Sequence, residues 1–285
     1  MTKLNTLIDD IFSTISCIAD GKNLDIPETL AADFGDRMAE ALLHWAEPKK
    51  QTKGLRMSNI GRPERQLWYE KRDTENENKL SPDTLIKFLY GHLLEELLLL
   101  LVKLSGHKVT DEQKEVEVDG IVGHMDCKID GQVIDIKTSS GRAFSKFVTG
   151  SLPENDPFGY IAQISAYAEA NNVDRAAFLV IDKSTGKICL APVHSMEMIN
   201  AGSRVKALKE IVTSPTMPNR CYDPVPDGKS GNYKLAIGCL YCRHKKECWS
   251  DINGGKGLRV FQYANGKRYL TSVVKTPDVP EVVDW

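Results

Sequence analysis

The chain lacks any long apolar stretch. Its longest run, Leu97 to Val102, falls far short of the roughly 20 residues that a membrane-spanning helix needs. Charge of one sign is also missing: 37 Lys and Arg stand against 39 Asp and Glu, for a net charge of −2. That balance excludes an overall basic nucleic-acid binder and leaves room for a local basic groove. The first residues hold one early lysine, Lys3, and then Asp9 and Asp10 where a secretory signal would have to be apolar. We therefore expect no signal peptide, no membrane anchor and a cytoplasmic location. There is no internal repeat and no long low-complexity tract. With 41% hydrophobic and 27% charged residues, the chain is neither disordered nor collagen-like. Its 285 residues suit one large domain, or a domain with a sizeable appendage.

Cysteine is unevenly distributed. Of the seven, four crowd into residues 221–248. An odd total with a local cluster favours metal binding over a disulfide framework. Cys127 and Cys189 fall on apolar strand faces and read as core residues.

Residues 1–47 read as helical, with Leu4, Leu7, Ile8, Ile11, Phe12 and Ile15 at helical spacing and Pro48 as the breaker. Residues 49–72 hold eight Lys or Arg and two Glu, around Trp68 and Tyr69. Ser81 and Pro82 open a helix to about Leu104, as cap and first helical residue. Strand signals fill 113–138. A helix (158–171), two strands (175–182 and 187–193) and a helix (196–213) follow, then the Cys-rich segment and a tail. The expected divisions are a helical N-terminal region (1–80), a core (81–213), a metal-binding segment (214–255) and a tail (256–285). The tail, with acidic residues and Trp285, reads as a disordered terminus or a docking peptide.

Chemistry first shows in the meander. Asp119-Gly120 and Asp130-Gly131 are two-residue hairpin signals, since type I′ turns need positive φ at both central positions. They cut 113–138 into three antiparallel strands. A loop at Asp130-Gly131 sets Asp126 across from Asp135 and His124 across from Lys137, and the first hairpin sets Glu115 across from His124. Opposed residues have Cβ atoms roughly 4.5–5.5 Å apart, where like charges destabilise the pair. A divalent cation would turn the repulsion between Asp126 and Asp135 into coordination; the alternative is an ordinary solvated hairpin face.

The preceding helix is apolar nearly all round, so burial is expected, yet Glu95 and Glu96 interrupt it. A buried unpaired carboxylate is costly, so a metal or a basic partner is expected for Glu95. Glu96 reads as a surface charge and His92 as a minor candidate. Gly91 lies one turn before Glu95, where a missing side chain would let the sheet approach.

These residues resemble the PD-(D/E)XK nuclease superfamily, in particular its RecB-type exonuclease branch. GHLLEE (91–96) resembles the first motif, GHMD (123–126) the second and VIDIKT (133–138) the third. QISAY (163–167) is similar to the Gln-x-x-x-Tyr motif of the branch. Cys239, Cys242 and Cys248 resemble the C-terminal Cys triplet of its iron–sulfur members, which include CRISPR-associated and phage exonucleases. One feature departs: those members carry their first cluster Cys upstream of the helix Glu, whereas 58–70 here has Gly61 and no Cys, and Cys17 lies too early. Cys221 is the better fourth ligand, for a [4Fe–4S] cluster or a structural Zn²⁺.

The resemblance implies an α/β fold with a restriction-endonuclease-like core, a mixed central sheet of about five strands flanked by helices. It implies a phage or bacterial DNA exonuclease, with an endonuclease or a catalytically silent DNA-binding subunit as alternatives. Glu95, Asp126 and Asp135, with the backbone carbonyl of Ile136, would hold Mg²⁺ or Mn²⁺. Lys137 would orient the nucleophile or neutralise phosphate charge, and Gln163 and Tyr167 would steady Lys137 or a phosphate. Arg56, Arg62, Arg65, Trp68 and Tyr69 read either as a single-strand track, with rings stacking on bases, or as a solvated basic face. Ser139, Ser140, Arg142 and Lys146 would grip the next phosphate. The expected partners are DNA, single-stranded or at ends, and a recombination or single-strand-binding protein. A rival class, a metal-stabilised scaffold module, would leave Asp126 and Asp135 unexplained.

Overall fold

The computed structural model describes residues 3–48, 54–73, 80–283 and 285. The chain divides into two compact units, Met1–Gly61 with Lys79–Leu208, and Arg62–Asn78 with Lys209–Trp285. In chain order the longer α-helices are α1 (Leu7–Ala19), α2 (Glu28–Ala46), α3 (Glu64–Arg72), α4 (Pro82–Leu104), α5 (Arg142–Val148), α6 (Tyr160–Ala170) and α7 (Ala201–Thr213). The strands are β1 (Val109–Thr110), β2 (Lys114–Val118), β3 (Ile121–Met125), β4 (Cys127–Ile129), β5 (Gln132–Ser139), β6 (Arg175–Asp182), β7 (Ile188–His194), β8 (Val225–Pro226), β9 (Tyr233–Lys234), β10 (Arg259–Tyr263), β11 (Gly266–Ser272) and β12 (Glu281–Val282). No helix among the described residues is long and apolar enough to cross a membrane.

The first unit is built on a mixed sheet in the order β1-β4-β5-β6-β7, with β5 and β6 parallel and the other pairs antiparallel. Ile134 and Ile136 of β5, with Ala177, Leu179 and Ile181 of β6, pack against Leu7 and Ile11 of α1 and Leu98, Leu99 and Val102 of α4. Strand side chains alternate between faces, so Asp135 and Lys137 point the other way. That face carries α5 and α6, where Phe147 and Tyr160 meet Phe178 of β6.

Both hairpin turns form as the Asp-Gly pairs predict, with φ of +47° and +73° at Asp119 and Gly120 and +50° and +85° at Asp130 and Gly131. The expected register also holds: Cys127 pairs with Ile134 and Glu115 with His124. One feature differs. The second expected strand is interrupted at Asp126, so β2 and β3 form a separate ribbon, and the expected ladder pairs Asp126 with Asp135 and His124 with Lys137 do not form. Gly123 lies in that ribbon because Met57 packs against it; a Cβ there would stand 2.7 Å from the Met57 Cβ.

The helical N-terminus also departs from the expectation: α1 and α2 are separate, with 20–27 between them. Helix α4 starts as read, with the Ser81 Oγ accepting from the Thr84 N–H at 3.3 Å. It is not buried throughout. Its last turns are in the core, whereas Leu85, Ile86, Phe88 and Tyr90 are exposed. Helix α2 packs along α4, and the Trp45 Nε1–H donates to the Leu85 carbonyl at 2.8 Å. Gly91 is not forced by a close approach, since a Cβ there would meet nothing nearer than the Thr138 Oγ1, at 3.9 Å.

The second unit has its own five-stranded sheet, β12-β10-β11-β9-β8. The segment expected as a tail supplies three of those strands. Arg259 and Glu281 join β10 to β12 through two hydrogen bonds, of 2.8 and 2.7 Å, and Trp285 packs edge-on against Tyr269. The loop before the Cys triplet is also organised. Buried Asp227 takes Lys234 and Arg268, and Asn232 bonds the main chain at 274 and 275.

Candidate active site

Strand β5 sets Asp135 and Lys137 two residues apart on one face. The Asp135 side chain is fully buried and ion-paired to the Lys137 ammonium, while its Oδ1 has no hydrogen-bond partner among the described residues. Asp126 stands where the meander breaks. Its Oδ2 accepts the main-chain N–H of Ile136 at 2.6 Å. A side-chain oxygen takes the place of a ladder carbonyl, which explains why the strand stops here. Glu95 comes from α4, and its Oε1 accepts from the Gln113 Nε2 at 2.8 Å.

Electrostatics binds the four groups into one cluster. Burial, then the Asp126 and Glu96 carboxylates, push the Glu95 carboxyl up to about 9. Burial and Asp135 push Asp126 up to about 7, against the pull of Lys137 and the Ile136 N–H. Burial raises Asp135 as well, and outweighs the Lys137 ammonium. Burial works to lower Lys137, but Asp135 and Asp126 hold it above the ordinary lysine value. Three acids thus face one ammonium in a dry setting, and more positive charge would let them ionise together. All-oxygen donors with a buried, unpartnered Asp135 Oδ1 suit a hard divalent cation. Among the described residues no three His, Cys, Asp or Glu side chains already ring a common metal position.

Helix α6 closes this face. The Gln163 Nε2 donates to the Tyr167 hydroxyl at 3.1 Å, and burial raises the Tyr167 phenol. Two residues escaped the sequence reading. The Tyr160 ring lies 5.2 Å from the Lys137 Nζ and stacks on Phe158, which is exposed. Gln113 touches Glu95 from a turn that no motif covers. An aromatic opening the Gln-x-x-x-Tyr helix was a signal for Tyr160; nothing local pointed to Gln113.

Other candidates fall elsewhere. Glu96 lies 3.9 Å from Arg37 in a network with Glu112, and the His92 ring meets His44 edge-on. His124 is exposed, 3.6 Å from Glu115. Ser140 and Arg142 are exposed at the start of α5, Ser139 is buried, and the Lys146 Nζ donates to the Asn155 carbonyl at 2.8 Å.

The residues of the expected single-strand track are half-buried, and most of them bond within the protein. Arg56 belongs to the first unit and is half-buried. In the second unit Arg62 pairs with Glu70 at 3.1 Å, and Arg65 donates to the carbonyls of Pro218 and Cys248. The Trp68 Nε1–H donates to the Ser214 carbonyl at 2.9 Å, and Tyr69 stacks on His244. The Arg65 and Trp68 bonds run to residues 146 to 183 positions away, which a local charge pattern cannot reveal.

Those contacts help to frame a cavity of about 20 Å³ lined by Cys221, Cys239, Cys242 and Cys248. Burial and the neighbouring thiols push Cys239 up to about 12 and Cys242 up to about 11, and burial raises Cys221. Gly61, at the place where the resemblance would put a cluster Cys, touches the backbone of Gly159; a Cβ there would lie 2.4 Å from it.

No family model matches the chain, and no curated protein does. Solved structures show distant similarity. The chain is similar to the crystal structure of SSO0001 (16% identity, TM-score 0.42, 78% of this chain and 96% of that one). It is similar to an alkaline exonuclease from Laribacter hongkongensis (13% identity, TM-score 0.36, covering 56% and 84%). A phage-related exonuclease from Haemophilus somnus 129PT is also similar (16% identity, TM-score 0.36, covering 62% and 89%).

Proposed function

We propose that the chain is a Mg²⁺- or Mn²⁺-dependent deoxyribonuclease of the PD-(D/E)XK type that works as an exonuclease on single strands or DNA ends. One observation carries the reading: Glu95, Asp126, Asp135 and Lys137, from three separate segments, form one electrostatically linked cluster beside a break in the sheet. A fold that needed only a core would not bury Asp135 with an unpartnered oxygen.

Glu95, Asp126 and Asp135, with the carbonyl of Ile136, would hold the cation. A divalent ion supplies an acidified water and stabilises charge on the phosphate. Asp126, by accepting the Ile136 N–H, fixes its own carboxylate against β5. Lys137 stays protonated beside two acids and offers a compact positive charge to a phosphate oxygen or to the attacking water. Gln163 holds the Tyr167 phenol, a neutral donor, over the same strand face.

In the second unit, Cys221, Cys239, Cys242 and Cys248 would hold a metal centre, [4Fe–4S] or Zn²⁺. Their convergence on one small cavity supports this reading, since four thiolates can share one metal ion.

The test is incubation of end-labelled linear single-stranded, linear duplex and circular DNA with Mg²⁺ or Mn²⁺. The reading expects linear DNA to be degraded, circular DNA to survive, and Asp135→Ala to abolish cleavage while DNA binding persists. Cleavage of circles would make the enzyme an endonuclease. No metal-dependent cleavage of any substrate would overturn the proposal.

A further inference from the structure

Gln113 is one of six non-glycine residues in the described chain with a positive φ, here +51°. Side chains seldom adopt this conformation, and it persists only where surrounding structure imposes it. Five of the six, Asp111, Asp119, Asp130, Asn172 and Asn253, are Asp or Asn, which tolerate the left-handed region. Asp111 has a local reason as well, since its carboxylate pairs with Lys128 at 2.9 Å and with Lys114 at 3.7 Å. Gln113 has neither the short side chain nor a cation beside it. What it has is one side-chain bond to an acid of the cluster and one main-chain bond that continues the β2–β3 ladder to Asp126. Its Nε2 donates to the Glu95 Oε1 at 2.8 Å, and its main-chain N–H donates to the Asp126 carbonyl at 2.9 Å.

We infer that Gln113 is a positioning residue that fixes the helix acid Glu95 relative to the strand acid Asp126, and that its left-handed backbone is retained for that purpose. The inference rests on the nuclease reading and deepens it. One residue spans the two segments: the main chain is anchored at Asp126, and the carboxamide reaches back to α4. A carboxamide suits the task chemically. It donates to Glu95 without adding charge, so the acids remain available to a cation, whereas a lysine would neutralise one of them. Groups that orient metal-binding carboxylates typically change metal affinity or activity by about 10–100-fold when removed.

Two full-length variants separate positioning from folding. Glycine is at ease at φ of +51°, so Gln113→Gly removes the carboxamide and the backbone strain together, whereas Gln113→Ala removes only the carboxamide. The Gly variant should melt higher than the Ala variant and no lower than wild type. Both should bind Mn²⁺ about 10–100-fold more weakly by calorimetry without DNA, and should lose kcat rather than raise KM for DNA. Wild-type Mn²⁺ affinity in a more stable Gln113→Gly would overturn the inference, leaving Gln113 a mere turn residue. Loss of both stability and Mn²⁺ affinity in the Gly variant would overturn it too, by showing a structural role. A wild-type chain that neither binds Mn²⁺ nor cuts DNA would overturn the nuclease reading, and this inference with it.

Discussion

Replacing Lys137 with Met would test the electrostatic account of the cluster. The Lys137 side chain is 17% exposed and that of Asp135 is fully buried. Removing the ammonium strands a carboxylate in the interior, and breaking such a pair costs about 3–5 kcal/mol. At about 2–4 °C per kcal/mol for a chain of this size, Tm should fall by roughly 6–20 °C near pH 7. The loss should shrink toward pH 4, because burial raises Asp135 and a neutral carboxyl no longer needs the ammonium. Adding Asp135→Leu to Lys137→Met should recover most of the lost stability, since an apolar pair replaces a buried ion pair at little net cost. Activity should be absent from both variants. The measurement is thermal and urea unfolding of the three proteins, metal-free, at pH 4 and pH 7. A double variant no more stable than Lys137→Met, or a loss that does not depend on pH, would refute the reasoning.

Other consequences can be checked separately. Glu95 and Asp126 are raised to about 9 and about 7, so the folded chain holds protons that the unfolded chain has lost. That stabilisation is whole below their ordinary values and disappears as pH rises through the raised ones. The metal-free protein should therefore lose stability between about pH 5 and pH 9, while its Mn²⁺ affinity rises over the same interval. A flat Tm and a flat affinity would contradict this. Cys242→Ser should lower both metal content and the stability of the second unit. The wild-type protein, prepared anaerobically, should be brown with acid-labile sulfide, or colourless with about one zinc per chain; four freely titratable thiols in a metal-free folded protein would exclude both. Arg65→Ala with Trp68→Ala should destabilise the second unit, because both side chains bond its main chain. The salt dependence of DNA binding should stay unchanged. A log–log slope reduced by about 0.7 per lost contact would restore the single-strand track.

What the sequence made legible follows from the range of each interaction. The two Asp-Gly turns need only two adjacent residues at positive φ, and both formed with the expected register. Ser81 capping α4 is equally local. Periodicity was less informative where partners were distant. The apolar periphery of α4 argued for burial throughout, but only its C-terminal turns meet the sheet, and Leu85, Ile86 and Phe88 stay exposed. Residues 256–285 read as a tail from sequence because the pairing of β10 to β12, such as Val260 with Val282, lies outside any local window. The basic-aromatic segment shows the same limit: Arg65 and Trp68 bond carbonyls about 150 residues away. In the candidate site, alternation on β5 put Asp135 and Lys137 on one face, and the opposed Asp126 signalled unusual chemistry. The position of Asp126 was legible, but its conformation was not. The strand breaks there because the carboxylate itself takes the Ile136 N–H, a bond that a register diagram assigns to backbone. The same bond makes the site self-consistent: the residue that ends the ladder thereby frees β3 from the main sheet, while β5 continues with Asp135 and Lys137 paired beside it.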